Sequence, residues 1–369
     1  MDISFTHEHD ELRQTVRRFL ENESNEQTVR KLMETERGYD AKTWDRLASE
    51  LSLVGLIVPE KHGGAGLGAV ELAIVMEEMG RVLFCGPYLS TAVLGAGALL
   101  YAADDATKAK LLPPIASGKS IATVAFVEEH GRWDVDSIAM RAARDGSKWK
   151  LSGVKDFVID GAIADIVLVI ARTDNGLGLF HVEGNFERAA LPTLDLTRKL
   201  ARLTFSGTSA TLVSGTGDAT ASISHVLALG SAMLAAEQVG GAQRCLEQST
   251  EYAKTRLQFG RPIGTFQAIK HKCADMLVET EMARSAAYNA AFAASDTDEA
   301  QLQASAQIAR SYCSEAFFHA AAENIQIHGG MGFTWEHAAH LYFKRARAGS
   351  MMFGEPIEER QKLGASLGL

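Results

Sequence analysis

The sequence predicts an α+β chain in three parts: an N-terminal helical domain over residues 1–118, a middle, small antiparallel β domain over 119–218 and a C-terminal helical bundle over 219–369. Three observations carry this. Up to Pro113-Pro114, apolar residues recur at helical spacing. The period then changes to short, β-branched runs punctuated by the hairpin signals Asp145-Gly146 and Asn175-Gly176. Beyond Asp218, long helical patterns rich in Ala and Gln return, which implies close helix–helix packing.

In the first part, Leu12, Val16, Phe19 and Leu20 mark one apolar helix face and Trp44, Leu47, Leu51 and Leu53 another. Val54–Pro59 is a tight apolar segment leading into Gly63-Gly64-Ala65-Gly66-Leu67-Gly68. No nucleotide-unit strand precedes this loop and no Lys-Ser/Thr follows it, so it reads as a loop needing positive φ rather than a phosphate cradle. Leu72, Val75, Met76 and Met79 form a buried face, a helix follows Pro87, and Leu111-Leu112-Pro113-Pro114 ends the block. Strands are expected at 121–126, 138–142, 149–151, 166–170 and 179–182, then helices at 222–256, 264–294, 298–328 and from about Glu336.

Composition excludes some function classes. Lys+Arg 37 against Asp+Glu 46 gives a net charge of -9, which argues against nucleic-acid or anionic-membrane binding. Cys85, Cys245, Cys273 and Cys313 form no CxxC pair and read as reduced, mostly buried thiols of a cytoplasmic protein. The N-terminus shows no signal peptide and no apolar run approaches ~20 residues. His62, His271, His319 and His340 have no metal-ligand spacing, so no metal site is expected, and His328 reads as a satisfied core residue.

The stretch Glu251–Lys272 is the most informative. A helical run breaks at Phe259-Gly260-Arg261-Pro262, because Pro262 lacks an N–H and disfavours helix at Arg261. Helix resumes near Gln267. Arg256 suits forked hydrogen bonds to a phosphate and Phe259 offers a flat face to a ring. The pattern alone favours a helix–turn–helix corner carrying a solvated arginine.

TRLQFGRPIGTFQAIKH, with LVGLIVPEKHGGAGLGAVELAIVMEEMG at Leu53–Gly80 and QIHGGMGF at Gln326–Phe333, resembles the acyl-CoA dehydrogenase family. The resemblance implies that family's fold, with a four-helix bundle as the C-terminal part, and FAD as cofactor. It implies that Arg256, Phe259, Gln267, Gln326, Gly329 and Gly330 serve the FAD of a neighbouring chain, with Phe157 offering an aromatic face to flavin. The implied reaction is α,β-dehydrogenation of an acyl-CoA, with electron-transfer flavoprotein or a similar acceptor taking the electrons. In that reaction a carboxylate removes the α proton while FAD takes the β hydride.

Other positions depart from the family's pattern. Phe353 falls where the family's usual catalytic glutamate stands, and Gly230 falls at or beside an alternative base position. Glu237 and Glu355 are the remaining acidic candidates. The loop Val127–Asp134 lacks the family's Thr-Glu-Pro-x-x-Gly-Ser-Asp pattern, and Ile159 replaces a threonine beside the flavin. This asymmetry resembles the divergent subunits of bacterial heteromeric acyl-CoA dehydrogenases of steroid side-chain catabolism, which form α2β2 assemblies. The expectation is therefore a subunit that completes its partner's FAD site in a hetero- or homo-oligomer. A non-catalytic structural or regulatory subunit, or a flavin oxidase or monooxygenase of the same fold, are the alternatives.

Overall fold

A computed structural model describes residues 5–215 and 217–368. The chain forms two compact units, one of residues 1–30, 73–84 and 231–369, the other of 31–72 and 85–230.

In the first unit, α1 (His7–Glu23) starts on a capping box, the Thr6 side chain meeting the His9 N–H and the His9 ring meeting the Thr6 N–H. Its Val16 and Leu20 are buried. Arg17 makes a two-pronged bond to both oxygens of Glu78, each 2.8 Å, on α4 (Ala69–Arg81). Arg13 donates to Glu77 at 2.6 Å and to the Tyr288 hydroxyl at 2.6 Å. Tyr288 in turn donates to Glu77 at 2.5 Å, and Arg284 completes that carboxylate's partners. Two buried acids are thus fully satisfied, as buried charge requires.

The long helix α7 (Thr220–Thr255) crosses α4 backbone against backbone. A Cβ on Gly80 would lie 1.9 Å from the Glu237 carbonyl oxygen, and one on Gly240 would lie 1.8 Å from that of Glu77. Only glycine permits this approach. α8 (Gln267–Ala293) and α9 (Glu299–His328) pack through small residues such as Ala283, Ala287, Ala309 and Ala320. The helices α10 (Ala339–Gly349) and α11 (Pro356–Ser366) pack on α9. The last expected helix therefore starts at Ala339 rather than Glu336, and a further helix follows it.

In the second unit, α3 (Ala41–Ser49) buries Trp44 and Leu47. The glycine loop after Val58 has Gly63 at φ +82° and Gly66 at φ +66°, while a Cβ on Gly64 would lie 2.1 Å from the Val58 carbonyl. A π-helical stretch (Leu89–Gly95) runs into α5 (Ala96–Ala102). α6 (Asp105–Ala116) ends this helical stretch just past Pro113 and Pro114, the prolines standing in its last turn.

The sheet comprises β1 (Ala122–Ala125), β2 (Ala142–Asp145), β3 (Lys148–Ile159), β4 (Ile166–Thr173), β5 (Gly176–Val182), β6 (Glu187–Ala190) and β7 (Leu200–Leu212). Its order is β1-β4-β5-β7-β3-β2, with β6 beside β7. The expected antiparallel sheet is mixed, since β1 and β4 run parallel. Residues 138–140 are not a strand, and Arg141 makes only an isolated bridge to Arg172. The backbone N–H groups of Ala139 and Met140 donate to the Glu128 carboxylate, both at 3.0 Å, which takes them out of any ladder. β6 and β7 are additions to the expected strands; β7 alternates apolar residues with Thr, Ser and Gly rather than forming an apolar run.

Candidate functional site

At the end of α7 the chain makes a two-strand hairpin, β8 (Leu257–Gln258) with β9 (Arg261–Pro262), where the sequence pattern predicts a plain corner between helices. The two apical residues, Phe259 and Gly260, have φ of +53° and +75°. Left-handed backbone at both central positions is the two-residue hairpin geometry that Asn-Gly normally supplies. Here Phe fills the first position and is 92% exposed. Its only ring contact among the described residues is edge-on to Phe266 at 6.1 Å, and Arg261 lies over that same ring at 4.3 Å.

The backbone fixes Arg256, its N–H donating to the Tyr252 carbonyl (2.8 Å) and its carbonyl accepting from Ile263 (2.8 Å). Its exposed guanidinium has no partner among the described residues. Gln267, the first residue of α8, is exposed as well.

The C-terminal end of α9 lies against α7. Asn324 donates to Gln248 at 2.9 Å and accepts from Ser249 at 3.0 Å, and the His328 ring stacks on Tyr252 at 4.3 Å. Gln326 is exposed on this last turn, and Gly329 (φ +60°) ends it. A Cβ at Gly329 or Gly330 would meet nothing within 4 Å. The positive φ of Gly329 by itself favours glycine, whereas nothing in the chain's own packing requires Gly330, and the space beside both is open to a ligand's close approach.

The acidic candidates are otherwise engaged. Glu237 is buried and pairs with Arg345, Nη1 to Oε1 at 2.9 Å, while Arg345 also donates to the Phe84 carbonyl at 3.3 Å. Glu355 caps α11, its carboxylate receiving the Glu358 N–H and the Glu358 carboxylate receiving the Glu355 N–H at 3.3 Å. Phe353 is buried with φ +56°, followed by Gly354 at φ +99°. The fully buried Arg310 organises this turn, donating to the carbonyls of Met352 (2.7 Å), Gly349 (2.8 Å) and Gly354 (3.1 Å). Burial pushes its guanidinium down to about 10, which still leaves it charged at neutral pH. Sequence reasoning misses both Arg310 and Arg345, because a charge within a helical pattern carries no sign of whether it faces the core.

The loop 127–134 belongs to the second unit, and its substitutions form a structural core of their own. Lys155 is fully buried and donates to Glu128 Oε1 at 2.8 Å and to the Phe126 carbonyl at 2.9 Å. Burial pushes the lysine down to about 8, with Glu128 opposing the shift. Burial alone would raise the Glu128 carboxyl, but Lys155 and the two backbone donors hold it below its ordinary value. Trp133 stacks flat on Phe126, 5.9 Å apart and 7° from parallel. Phe157 sits in a bulge of β3 with φ +51° and is 42% exposed. The Ile159 side chain is buried, and its carbonyl accepts from the Thr123 hydroxyl at 2.6 Å.

Two family descriptions match the chain: "Acyl-CoA dehydrogenase, N-terminal domain" over residues 6–119 and "Acyl-CoA dehydrogenase, C-terminal domain" over residues 220–361. Acyl-CoA dehydrogenase IpdE2 of Mycolicibacterium smegmatis is 35% identical over 356 residues, 96% of this chain and 97% of that one. The chain belongs to the acyl-CoA dehydrogenase family. Its fold is that of the family, whose members are flavin-dependent oxidoreductases acting on a CH–CH bond. Among solved structures, the ChsE4–ChsE5 complex from Mycobacterium tuberculosis matches with a TM-score of 0.91 at 28% identity, over 100% of this chain and 99% of that one. A Tcur3481–Tcur3483 steroid acyl-CoA dehydrogenase variant matches with a TM-score of 0.89 at 30% identity, over 98% of each chain. Among the described residues no helix is long and apolar enough to cross a membrane, and no His, Cys, Asp and Glu group could hold a metal ion.

Proposed function

We propose that this chain is one subunit of a hetero-oligomeric, FAD-dependent acyl-CoA dehydrogenase, completing its partner's flavin site and contributing no catalytic base. The observation that carries this reading is the hairpin apex. A phenylalanine ring, 92% exposed on left-handed backbone, follows three residues after an exposed arginine that has no partner among the described residues. The exposed ring on left-handed backbone is costly for a chain alone and useful to a neighbour, and the solvated arginine is free to bind an anion. In this reading Arg256 makes forked bonds to the cofactor's phosphates, and Phe259 covers a ring. Gln267 and Gln326 bond its polar edges, and Gly329-Gly330 lets backbone approach it. FAD, when bound, takes the β hydride of the thioester.

The chain's own half supports the asymmetry. The Phe157 ring remains as an aromatic face, but Ile159 has no side-chain donor and the 127–134 loop is closed on itself by Glu128, Lys155 and Trp133. Phe353 cannot abstract a proton. Glu355 caps a helix, and Glu237 is tied to Arg345. The partner therefore supplies the base. The division into parts 1–118, 119–218 and 219–369 and a cytoplasmic location belong to the same proposal. So do an electron-transfer flavoprotein as acceptor and a ring-bearing acyl-CoA as substrate. The substrate class rests on likeness to structures described as a steroid dehydrogenase and a two-component complex. A purely structural subunit is the second reading, favoured by the engagement of every acidic candidate.

The test is co-expression with a family member that carries the glutamate. The complex is expected to be yellow and to reduce an artificial acceptor with acyl-CoA, and the chain alone to hold little flavin. Arg256→Ala should strip flavin from the complex, removing charge-assisted bonds worth roughly 1.5–3 kcal/mol each. A stoichiometric flavin spectrum and turnover from this chain alone would defeat the proposal.

A further inference from the structure

A cavity of about 220 Å³ lies wholly within the first unit, between the end of α1, α2 (Glu26–Met33), α4, α7 and α10. Its floor is apolar, made by Leu20, Val29, Leu83 and Leu341, each no more than 4% exposed. Six charged side chains also line it, and most are spent on a partner. Arg17 holds Glu78 with two prongs, each 2.8 Å. Arg81 holds Glu247 in the same way at 2.8 and 2.9 Å, and Glu26 pairs with Arg30 at 2.7 Å. Two charges of opposite sign are left over. Glu21 is exposed, and its carboxylate has no partner among the described residues. Arg244 has only a 3.5 Å contact to Glu247 and the neighbouring Tyr342 hydroxyl, so most of its N–H groups are free to donate. Both line the cavity, yet they do not pair with each other. Ser24 in the same wall is only 4% exposed, and its hydroxyl has no partner among the described residues. Gln248 spends its Oε1 on Asn324 Nδ2 at 2.9 Å, which leaves its own amide N–H groups to donate.

A spare guanidinium and a spare carboxylate around an apolar floor complement a small molecule that carries both charges on an apolar body. We propose that this cavity binds a free apolar α-amino acid of valine or leucine size. Its carboxylate meets Arg244, with Ser24 and Gln248 as further donors, and its ammonium lies toward Glu21. Its aliphatic side chain rests on Leu20, Val29 and Leu341. The volume suits a ligand of this size, being below the roughly 300–1,000 Å³ of sites for drug-sized molecules. A simple anion would leave the Glu21 carboxylate facing it, and a neutral apolar ligand would leave Arg244 and the Ser24 hydroxyl unmatched. Neither charge belongs to the proposed flavin half-site, so the cavity is independent of it.

Calorimetric titration of the purified chain with L-leucine is expected to show saturable binding, and leucine should raise the chain's melting temperature. L-Leucinamide lacks the carboxylate and should bind about tenfold more weakly. Isocaproate keeps the carboxylate and the branched chain but lacks the ammonium. It should bind about threefold more weakly, the smaller factor following from the exposure of Glu21. Arg244→Gln and Glu21→Gln both change exposed side chains, so each variant should keep the wild-type circular dichroism. Arg244→Gln should remove most of the difference between leucine and its amide, and Glu21→Gln most of that between leucine and isocaproate. No leucine binding at millimolar concentration, or equal binding of the three ligands by wild-type protein, would overturn the proposal. So would a leucine affinity unchanged in both variants. Isocaproate binding more tightly than leucine would make this a plain anion site and equally overturn the amino-acid assignment.

Discussion

Glu237 shows how one partner changes the meaning of a residue. A buried glutamate among apolar neighbours is a reasonable base candidate on sequence, and Arg244 is a partner close to it along the helix. The structure pairs it with Arg345 instead, more than 100 residues along the chain, at 2.9 Å with both side chains buried. A carboxylate held against a guanidinium is a poor base, because the pair favours its ionised form and occupies its lone pairs. Glu237→Gln leaves a buried cation short of its counter-charge, and breaking such pairs costs on the order of 3 kcal/mol. The expected outcome is a lower denaturation midpoint in chemical unfolding, with any loss of turnover in the complex tracking the loss of folded protein. Abolished turnover at unchanged stability and flavin content would instead make Glu237 catalytic.

At the scale of elements, the β8–β9 hairpin places a side chain against its own backbone preference. The turn favours Asn at its first central position, where a short polar side chain tolerates left-handed φ, and the chain has Phe there. Phe259→Asn should therefore stabilise the isolated chain by about 1 kcal/mol, read as a raised melting temperature. The same change should reduce flavin retention in the complex, since the exposed ring is lost. Improved stability with undiminished flavin would show that the ring serves no neighbour. The bulge in β3 that turns Phe157 outward, φ +51°, is a second case of local strain beside a proposed contact.

At the scale of the whole molecule, two long helices carry several of the exposed apolar residues. Leu277, Val278 and Met282 on α8, and Ile308 and Phe318 on α9, are all exposed although both helices also pack in the unit's core. Apolar surface on these two long helices fits the association face that the proposed oligomer requires. Assemblies of such chains normally close by two-fold or dihedral symmetry. Val278→Glu is expected to shift the light-scattering mass of the partner complex to smaller species while the chain's circular dichroism stays unchanged. A complex of unaltered mass would exclude this face from the assembly.

Much of this architecture is legible in the residues. The change from helical to alternating period locates the β region, and the long Ala- and Gln-rich patterns locate α7, α8 and α9 within a few residues. Pro262 locates the break before α8. These are local effects, set by backbone chemistry and by period within a short window, so a sequence carries them openly. The proposed neighbour-facing residues Arg256, Phe259, Gln326, Gly329 and Gly330 are legible for a related reason, since they lie in two short continuous segments. Pairings across the chain decided the rest. That β1 runs parallel to β4, that Glu128 takes the N–H groups of Ala139 and Met140, and that β7 is the sheet's longest strand all depend on partners far away in sequence. The same holds for Arg345 on Glu237 and for Arg310 on the carbonyls of the turn that holds Phe353. Whether a charged or polar group is free to do chemistry depends on which donor or acceptor reaches it in the folded chain, and only the tertiary structure brings those groups together.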